Sequence, residues 1–296
     1  MDRKPWHGIL TATALPLDAE SRVDADALAA HVHWLASAGT QGVAVNGSLG
    51  EYQALTADER ALVVRTAVDA APVGFTVMAG TGAYSTAESV RWAEQAAQAG
   101  AHCVMTLPPN AYRGDERAVL HHYREVAAVG LPVIAYNNPI DTKIDLVPAL
   151  LARLHAEGWI VAVKEFTGDV RRAYEIAELA PGLELMIGAD DVLLELAIAG
   201  VVGWVAGYTN ALPHTCGELY RAAVAHDLDR ALPLYRLLHP LLRWDSKTEF
   251  VQAIKHSMDL VGRYGGPTRP PRMPLTPEQE TAVRTATMRA MEAGAR

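Results

Sequence analysis

Lys164 closes an apolar run, Ile160-Val161-Ala162-Val163, that shows no polar alternation and lies between Gly158 and the polar Thr167-Gly168-Asp169. Such a run reads as a strand buried on both faces, as in a parallel sheet. An ammonium group at the end of a dry strand loses hydration, which favours the neutral amine. A neutral amine attacks a carbonyl carbon and forms a Schiff base. Taken alone, a lysine followed by Glu165 also fits a stem that packs while its head snorkels or pairs. Two other stretches change that balance. Gly47-Ser48-Leu49-Gly50-Glu51 can turn several backbone N–H groups toward one point beside a hydroxyl, an anion nest suited to a carboxylate. By itself so short a glycine pattern also makes a plain strand-to-helix turn. Tyr136-Asn137-Asn138-Pro139 places a phenol where it can shuttle protons, or merely pack at a rim.

These stretches need elements to hold them, and a strand-then-helix unit recurs along the chain. Expected strands are Gly8–Leu17, Gly42–Asn46, Val73–Ala79, His102–Leu107, Pro132–Tyr136, Ile160–Glu165, Leu183–Ile187 and Val202–Ala206. Between and after them helices are expected over Asp24–Ala38, Thr56–Ala71, Ser85–Ala99, Asp115–Val129, Asp145–Glu157, Asp169–Ala180, Asp191–Ala199 and Pro213–Ala225. Their starts carry capping residues, with Ser85 and Glu88 in capping-box spacing, and Gly39, Gly100, Gly130, Gly158 and Gly200 mark stops. Such units at roughly 25–30-residue spacing predict an α/β fold, a (β/α)8 TIM barrel, ahead of an open doubly wound sheet. The barrel is assigned to residues 1–226. Residues 227–296 read as a helical C-terminal extension packed on it, with helices over Asp229–Trp244, Thr248–Val261 and Pro277–Ala293 and an extended Gly265–Pro274 linker.

In such barrels chemistry sits at the carboxyl ends of the strands. Lys164, Tyr136, Ser48, Leu49 and Gly47 all fall there. Strand seven ends in Gly188-Ala189-Asp190-Asp191, read as a turn with an N-cap. Strand eight brings Val205, with Gly203 and Gly207 leaving room at the mouth. Asn110, Asn138, Asp141, Thr142 and Thr209 are expected to line the variable end, and Gly188 is expected in the pocket wall with them. His121-His122 point different ways on a helix and make a poor metal pair, and Asp190-Asp191 lack a nearby histidine, so no metal site is assigned.

Composition narrows the class. Apolar residues are 50% and charged residues 20% of 296, ordinary for a globular protein. A net charge of −8 argues against nucleic acid or an anionic membrane as partner. Cys103 and Cys216, both in apolar or helical stretches, suggest no disulfide framework and suit a reducing cytoplasmic setting. MDRKPWHGIL lacks the apolar core of a signal peptide, and no run approaches the roughly 20 residues of a membrane span. Neither a Walker loop nor a GxGxxG motif occurs.

Taken together and in order, Gly47–Glu51, Tyr136–Pro139 and Val163-Lys164-Glu165 resemble the GxxGE loop, the YNxP segment and the lysine strand of the dihydrodipicolinate synthase / N-acetylneuraminate lyase family. The resemblance spans nearly the whole chain. It implies a class I aldolase-type enzyme, cytoplasmic and homotetrameric as a dimer of dimers, that needs no cofactor beyond its own lysine. It implies Lys164 as iminium former, Tyr136 as proton relay, and Ser48 with Leu49 as binders of a 2-oxo acid carboxylate.

The departures concern substrate. Synthases of lysine biosynthesis carry an arginine two residues after the YNxP proline, where this chain has Asp141, and a tyrosine pair where it has Leu107-Pro108-Pro109-Asn110-Ala111-Tyr112. Pro108-Pro109 with Tyr112, Tyr136–Pro139, Asp169-Val170-Arg171-Arg172, Gly203–Gly207 and Pro271–Leu275 look most like the 1-pyrroline-4-hydroxy-2-carboxylate deaminases of hydroxyproline catabolism. Glu165-Phe166-Thr167-Gly168 differs from the Ser-Ser-Asp that many of those carry. A pyruvate-dependent aldolase of a 2-keto-3-deoxy sugar acid would use the same lysine. Two readings of other classes are a non-catalytic 2-oxo acid sensor and a flavin or phosphate barrel cradling its ligand on Gly203 and Gly207.

Overall fold

The computed structural model describes residues 3–296; Met1 and Asp2, the start of the amino-terminal stretch considered above, lie outside it. Eight strands alternate with helices: β1 Gly8–Ala12, α1 Ala25–Ser37, β2 Gly42–Val45, α2 Ala57–Ala70, β3 Thr76–Gly80, α3 Thr86–Ala99, β4 Cys103–Thr106 and α4 Glu116–Ala127. There follow β5 Val133–Asn137, α5 Pro139–Thr142, α6 Pro148–Ala156, β6 Ala162–Glu165, α7 Arg171–Leu179, β7 Glu184–Ile187, α8 Leu193–Ala199, β8 Gly203–Ala206 and α9 Pro213–Val224. Each strand pairs in parallel with the next, and β8 pairs with β1, so the sheet closes into a barrel. Three last helices, α10 Leu228–Leu242, α11 Phe250–Leu260 and α12 Pro277–Glu292, complete the chain. Here α10 lies against α8, α9 and α12, and α11 against α12. Among the described residues no helix is long and apolar enough to cross a membrane.

The strands are buried on both faces, which is why they are apolar without alternation. The two faces nevertheless feed different cores. Leu10, Ala44, Met78, Cys103, Ile134, Ala162, Met186 and Val205 fill the barrel interior. Val43, Val77, Val104, Val133, Val163, Ile187 and Trp204 face the surrounding helices. Side chains alternate with a period of two along a strand. Ala162 inside therefore puts Lys164 inside, and Ile134 does the same for Tyr136.

Local signals set most helix starts. Thr56 with Glu59 and Thr276 with Gln279 form capping boxes, and Ser85 accepts from the Glu88 N–H. Three expectations need correction. Strand one ends at Ala12, not Leu17, because its register with β2 stops at Ala44 and Ala14, Leu15 and Leu17 turn into the core under the helices. The helix expected from Asp145 begins at Pro148, whose missing N–H suits a first helical position. Asp145 instead pairs with the Arg172 guanidinium. Finally, the short α5 was not anticipated; Asn138 caps it by accepting from the Asp141 N–H.

Candidate active site

Tyr136 and Lys164 are direct register partners on β5 and β6, one step before the carboxyl ends of both strands. Pairing at the same level on the interior face sets the lysine ammonium over the phenol ring, 4.1 Å from its centroid. Phe166 stands edge-on to Tyr136 and lies 5.6 Å below the same ammonium. Lys164 is 6% exposed, and burial lowers its affinity for a proton against the pull of Asp245 and Asp190. Among the described residues its Nζ donates to no hydrogen-bond acceptor. Burial moves this amine toward its neutral, nucleophilic form, and no hydrogen bond ties it down.

Tyr136 is held by its neighbour on the loop: Asn138 Nδ2 donates to the phenol oxygen at 3.2 Å and to Asp141 Oδ2 at 2.8 Å. Burial, with Asp245 nearby, keeps the phenol protonated well above its ordinary value.

Across the barrel, β2 delivers the Gly47–Glu51 turn, entered through Asn46 at φ 54° and left through Glu51 at φ 52°. Glu51 N and Tyr52 N donate back to Ser48 O and Gly47 O. The N–H groups of Ser48 and Leu49 meet no acceptor among the described residues, and both residues line the cavity described below. Glu51 itself is buried and tied to the last part of the chain. Its carboxylate accepts from Lys255 Nζ at 3.0 Å and from the Arg269 N–H at 2.9 Å, while Lys255 also donates to Pro267 O.

One cavity of about 600 Å³ joins these pieces. Its walls include Gly47, Ser48, Leu49, Asn110, Tyr136, Asn138, Asp141, Thr142, Lys164, Val205 and Gly207, all singled out from sequence. Two expected members do not line it. Gly188 backs onto the lysine: a Cβ there would lie 3.0 Å from Lys164 Cγ and 2.4 Å from Glu165 O, so glycine lets β7 approach β6. Thr209 is fully buried, its hydroxyl bonded to Thr11 and Ala206 O. Gly203 also lies away from the mouth. It begins β8 beside Trp6 O, whereas Gly207 follows the strand's other end, so the two make no shared cradle.

Asp190 opens a short 3-10 turn ahead of α8, as expected, but its side chain does not cap that helix. Its carboxylate is buried and accepts from Trp204 Nε1 at 2.8 Å and from the Gly207 and Tyr208 N–H groups at 3.1 and 3.2 Å. Asp245, which sequence reasoning missed, lines the cavity from the α10–α11 connection and is 8% exposed. It accepts from the Asp190 N–H at 3.4 Å, and burial pushes its carboxyl up to about 6 against the pull of Lys164. Nothing periodic marks it; a short connection between two helices near a barrel mouth was the only available signal.

Arg60 and Tyr52 were missed as well. The buried Arg60 guanidinium donates to Gly80 O and Gly82 O and is sandwiched between the Trp92 and Tyr52 rings, 4.4 and 5.3 Å from their centroids. His122 is a core histidine bonded to Leu107 O and Thr86. Among the described residues no group of three His, Cys, Asp or Glu could hold a metal ion.

Known proteins share this fold. Residues 5–290 match the dihydrodipicolinate synthetase family. The chain is 33% identical to the 4-hydroxy-tetrahydrodipicolinate synthase of Acidothermus cellulolyticus, over 95% of this chain and 91% of that one. Its structure resembles dihydrodipicolinate synthase from Aquifex aeolicus, with a TM-score of 0.90, 28% identity and 96% and 97% coverage. It also resembles YagE, a prophage protein of the dihydrodipicolinic acid synthase family from E. coli K12 solved in complex with pyruvate, with a TM-score of 0.89, 26% identity and 96% and 98% coverage. The chain belongs to the dihydrodipicolinate synthetase family, class I aldolase-type lyases that work through a Schiff base.

Proposed function

We propose that Lys164 forms the Schiff base and that the substrate is a carboxylated cyclic imine bearing a hydroxyl, of the 1-pyrroline-4-hydroxy-2-carboxylate kind. The observation that carries the first part is the buried, unbonded Lys164 amine facing an open nest at Ser48 and Leu49 across one cavity. The carboxylate rests on that nest while the amine attacks the imine carbon. Ring opening leaves a protonated Schiff base on Lys164 and frees the ring nitrogen as an amine at the far end of the chain. The cationic Schiff base acidifies the neighbouring C–H bond, an enamine forms with Tyr136 relaying a proton, and the hydroxyl on the next carbon is expelled. A proton then moves from the amine-bearing carbon into the chain, which turns the terminal amine into an imine, and hydrolysis of both C=N bonds releases ammonia and 2-oxoglutarate semialdehyde and frees Lys164.

The acidic wall supports this substrate. Asp141, exposed at the rim of the cavity, would welcome an amine and repel a second carboxylate. A second reading is pyruvate-releasing aldol cleavage of a 4-hydroxy-2-oxo acid, supported by the likeness to a relative solved with pyruvate. A substrate panel read for both products decides between them. Ammonia release from the hydroxypyrroline carboxylate, without pyruvate release from sugar-derived 2-oxo acids, is expected; the opposite pattern selects the aldolase. No adduct with any 2-oxo acid after borohydride treatment would return the protein to a sensor role.

A further inference from the structure

The proposed chemistry asks for two proton-handling groups at two places. One serves the atoms at the iminium carbon. The other must reach the hydroxyl oxygen two carbons further on, because hydroxide is a poor leaving group unless it departs as water. Tyr136 sits beside Lys164 on the β5 side, and its phenol oxygen already accepts from Asn138. On the opposite, β8 side, the cavity wall is Val205 and Gly207, neither with a proton to give. Gly207 is where the wall opens. A Cβ at that position would fall 2.8 Å from Asp245 Oδ1 and 3.2 Å from Asp190 Oδ2. The missing side chain is what lets the Asp245 carboxyl lie against β8 and border the cavity.

Of the carboxyls that line the cavity, Asp141 and Glu88 are exposed at the rim, and Asp141 is engaged by Asn138. Asp245 alone is buried next to the lysine. Asp190, behind it, takes three donors from Trp204, Gly207 and Tyr208 and does not line the cavity. Its backbone N–H holds Asp245 in turn.

We propose that Asp245 is a further catalytic residue, the acid that protonates the departing hydroxyl. The inference rests on the deaminase reading above. In the enamine, the nitrogen lone pair forms the C=N bond to Lys164. The enamine C=C pair moves to form the next C=C bond, and the C–O bond pair leaves with oxygen. That oxygen takes the Asp245 proton and departs as water, so Asp245 finishes as a carboxylate. It regains a proton from solvent before the next turnover. A carboxyl whose burial sets its proton affinity at about 6 is matched to giving and regaining a proton near neutrality.

The test compares two leaving groups. Asp245→Asn keeps the shape and removes the proton. With the hydroxylated substrate its kcat should fall by about 10²–10⁴, the usual range for a lost general acid. With the 4-fluoro analogue, whose fluoride leaves without protonation, the variant should come within about tenfold of wild type, a difference too small for a lost general acid. Borohydride trapping of pyruvate on Lys164 should persist, and Asp245→Glu should recover part of the activity. Equal losses on both leaving groups, or a variant that no longer traps pyruvate, would overturn the proposal, because Asp245 would then serve the lysine or the fold. Circular dichroism and melting temperature separate a misfolded Asp245→Asn from an inactive one, with the Glu variant carrying the test if the Asn variant fails to fold. Wild-type protein that traps pyruvate yet releases no ammonia from either substrate removes the deaminase reading, and this assignment with it.

Discussion

Two lysines are buried in this molecule, and their surroundings could hardly differ more. Lys255, 2% exposed, has fixed partners: Glu51 and Pro267 O accept from its ammonium. Lys164, 6% exposed, has aromatic rings beneath it and no acceptor in bonding range among the described residues, with two carboxylates attracting it from a distance. Burial lowers the proton affinity of both. A lysine with fixed partners spends its protons on structure, whereas one that faces an open cavity has them available for chemistry. Burial alone does not mark a catalytic amine; burial without hydrogen bonds, beside empty space, does so far better.

The contrast can be broken by substitution. Lys164→Arg keeps a cation that stays protonated, so kcat should drop on the order of 10⁴ or more, the scale of losing a nucleophile, with no borohydride adduct by mass spectrometry. An adduct on Lys255 instead would reverse the assignment of the two lysines. In wild type, the rate of adduct formation should climb with pH as Lys164 loses its proton, and level off below the ordinary lysine value of 10.5.

Tyr136→Phe retains the ring under the ammonium and removes only the hydroxyl. A loss of about 10²–10⁴ in kcat, with the adduct still formed, would separate the relay from the ring's packing role. Near wild-type turnover would leave Tyr136 as a support for Lys164 alone.

Lys255→Met should behave in the opposite way to Lys164→Arg. It strands the buried Glu51 charge, a change that costs about 3–5 kcal/mol of stability. Denaturant unfolding should show that loss while trapping still labels Lys164. Ser48→Ala is expected to have the smallest effect, weakening substrate binding by about 1–2 kcal/mol through one hydrogen bond to a charged group. Unchanged KM for both substrate and pyruvate would move the carboxylate elsewhere.

Much of this was legible in the sequence for a physical reason. Parallel strands buried on both faces are short apolar runs, and glycine in the left-handed region, as at Gly100 with φ 88°, marks the end of several helices. The barrel follows from repetition. The lysine, tyrosine and carboxylate turn were legible because they stand at the ends of those runs. What stayed hidden came from pairs far apart in sequence. Asp245 gives no local sign that it will fold back over Gly207. Asp190 looks like a cap until Trp204 is seen to donate to it. Gly188 and Thr209 look like wall residues, but the first serves the approach of β7 to β6 and the second a hydroxyl pair with Thr11.

The link between Glu51 and Lys255 spans 204 residues, and it has a consequence for how the protein is made. Synthesis runs from the amino end, so Glu51 and its turn leave the ribosome long before their partner exists. The eight strands can close while the turn that faces Lys164 still lacks the ammonium and the Arg269 N–H that hold its carboxylate. The turn gains all its partners only once α11 and the segment after it are in place, although it stands early in sequence. A chain nicked or shortened ahead of Lys255 would keep strands capable of a barrel and leave Glu51 unpaired. Its fault would show first as a slack carboxylate turn, not as a missing sheet.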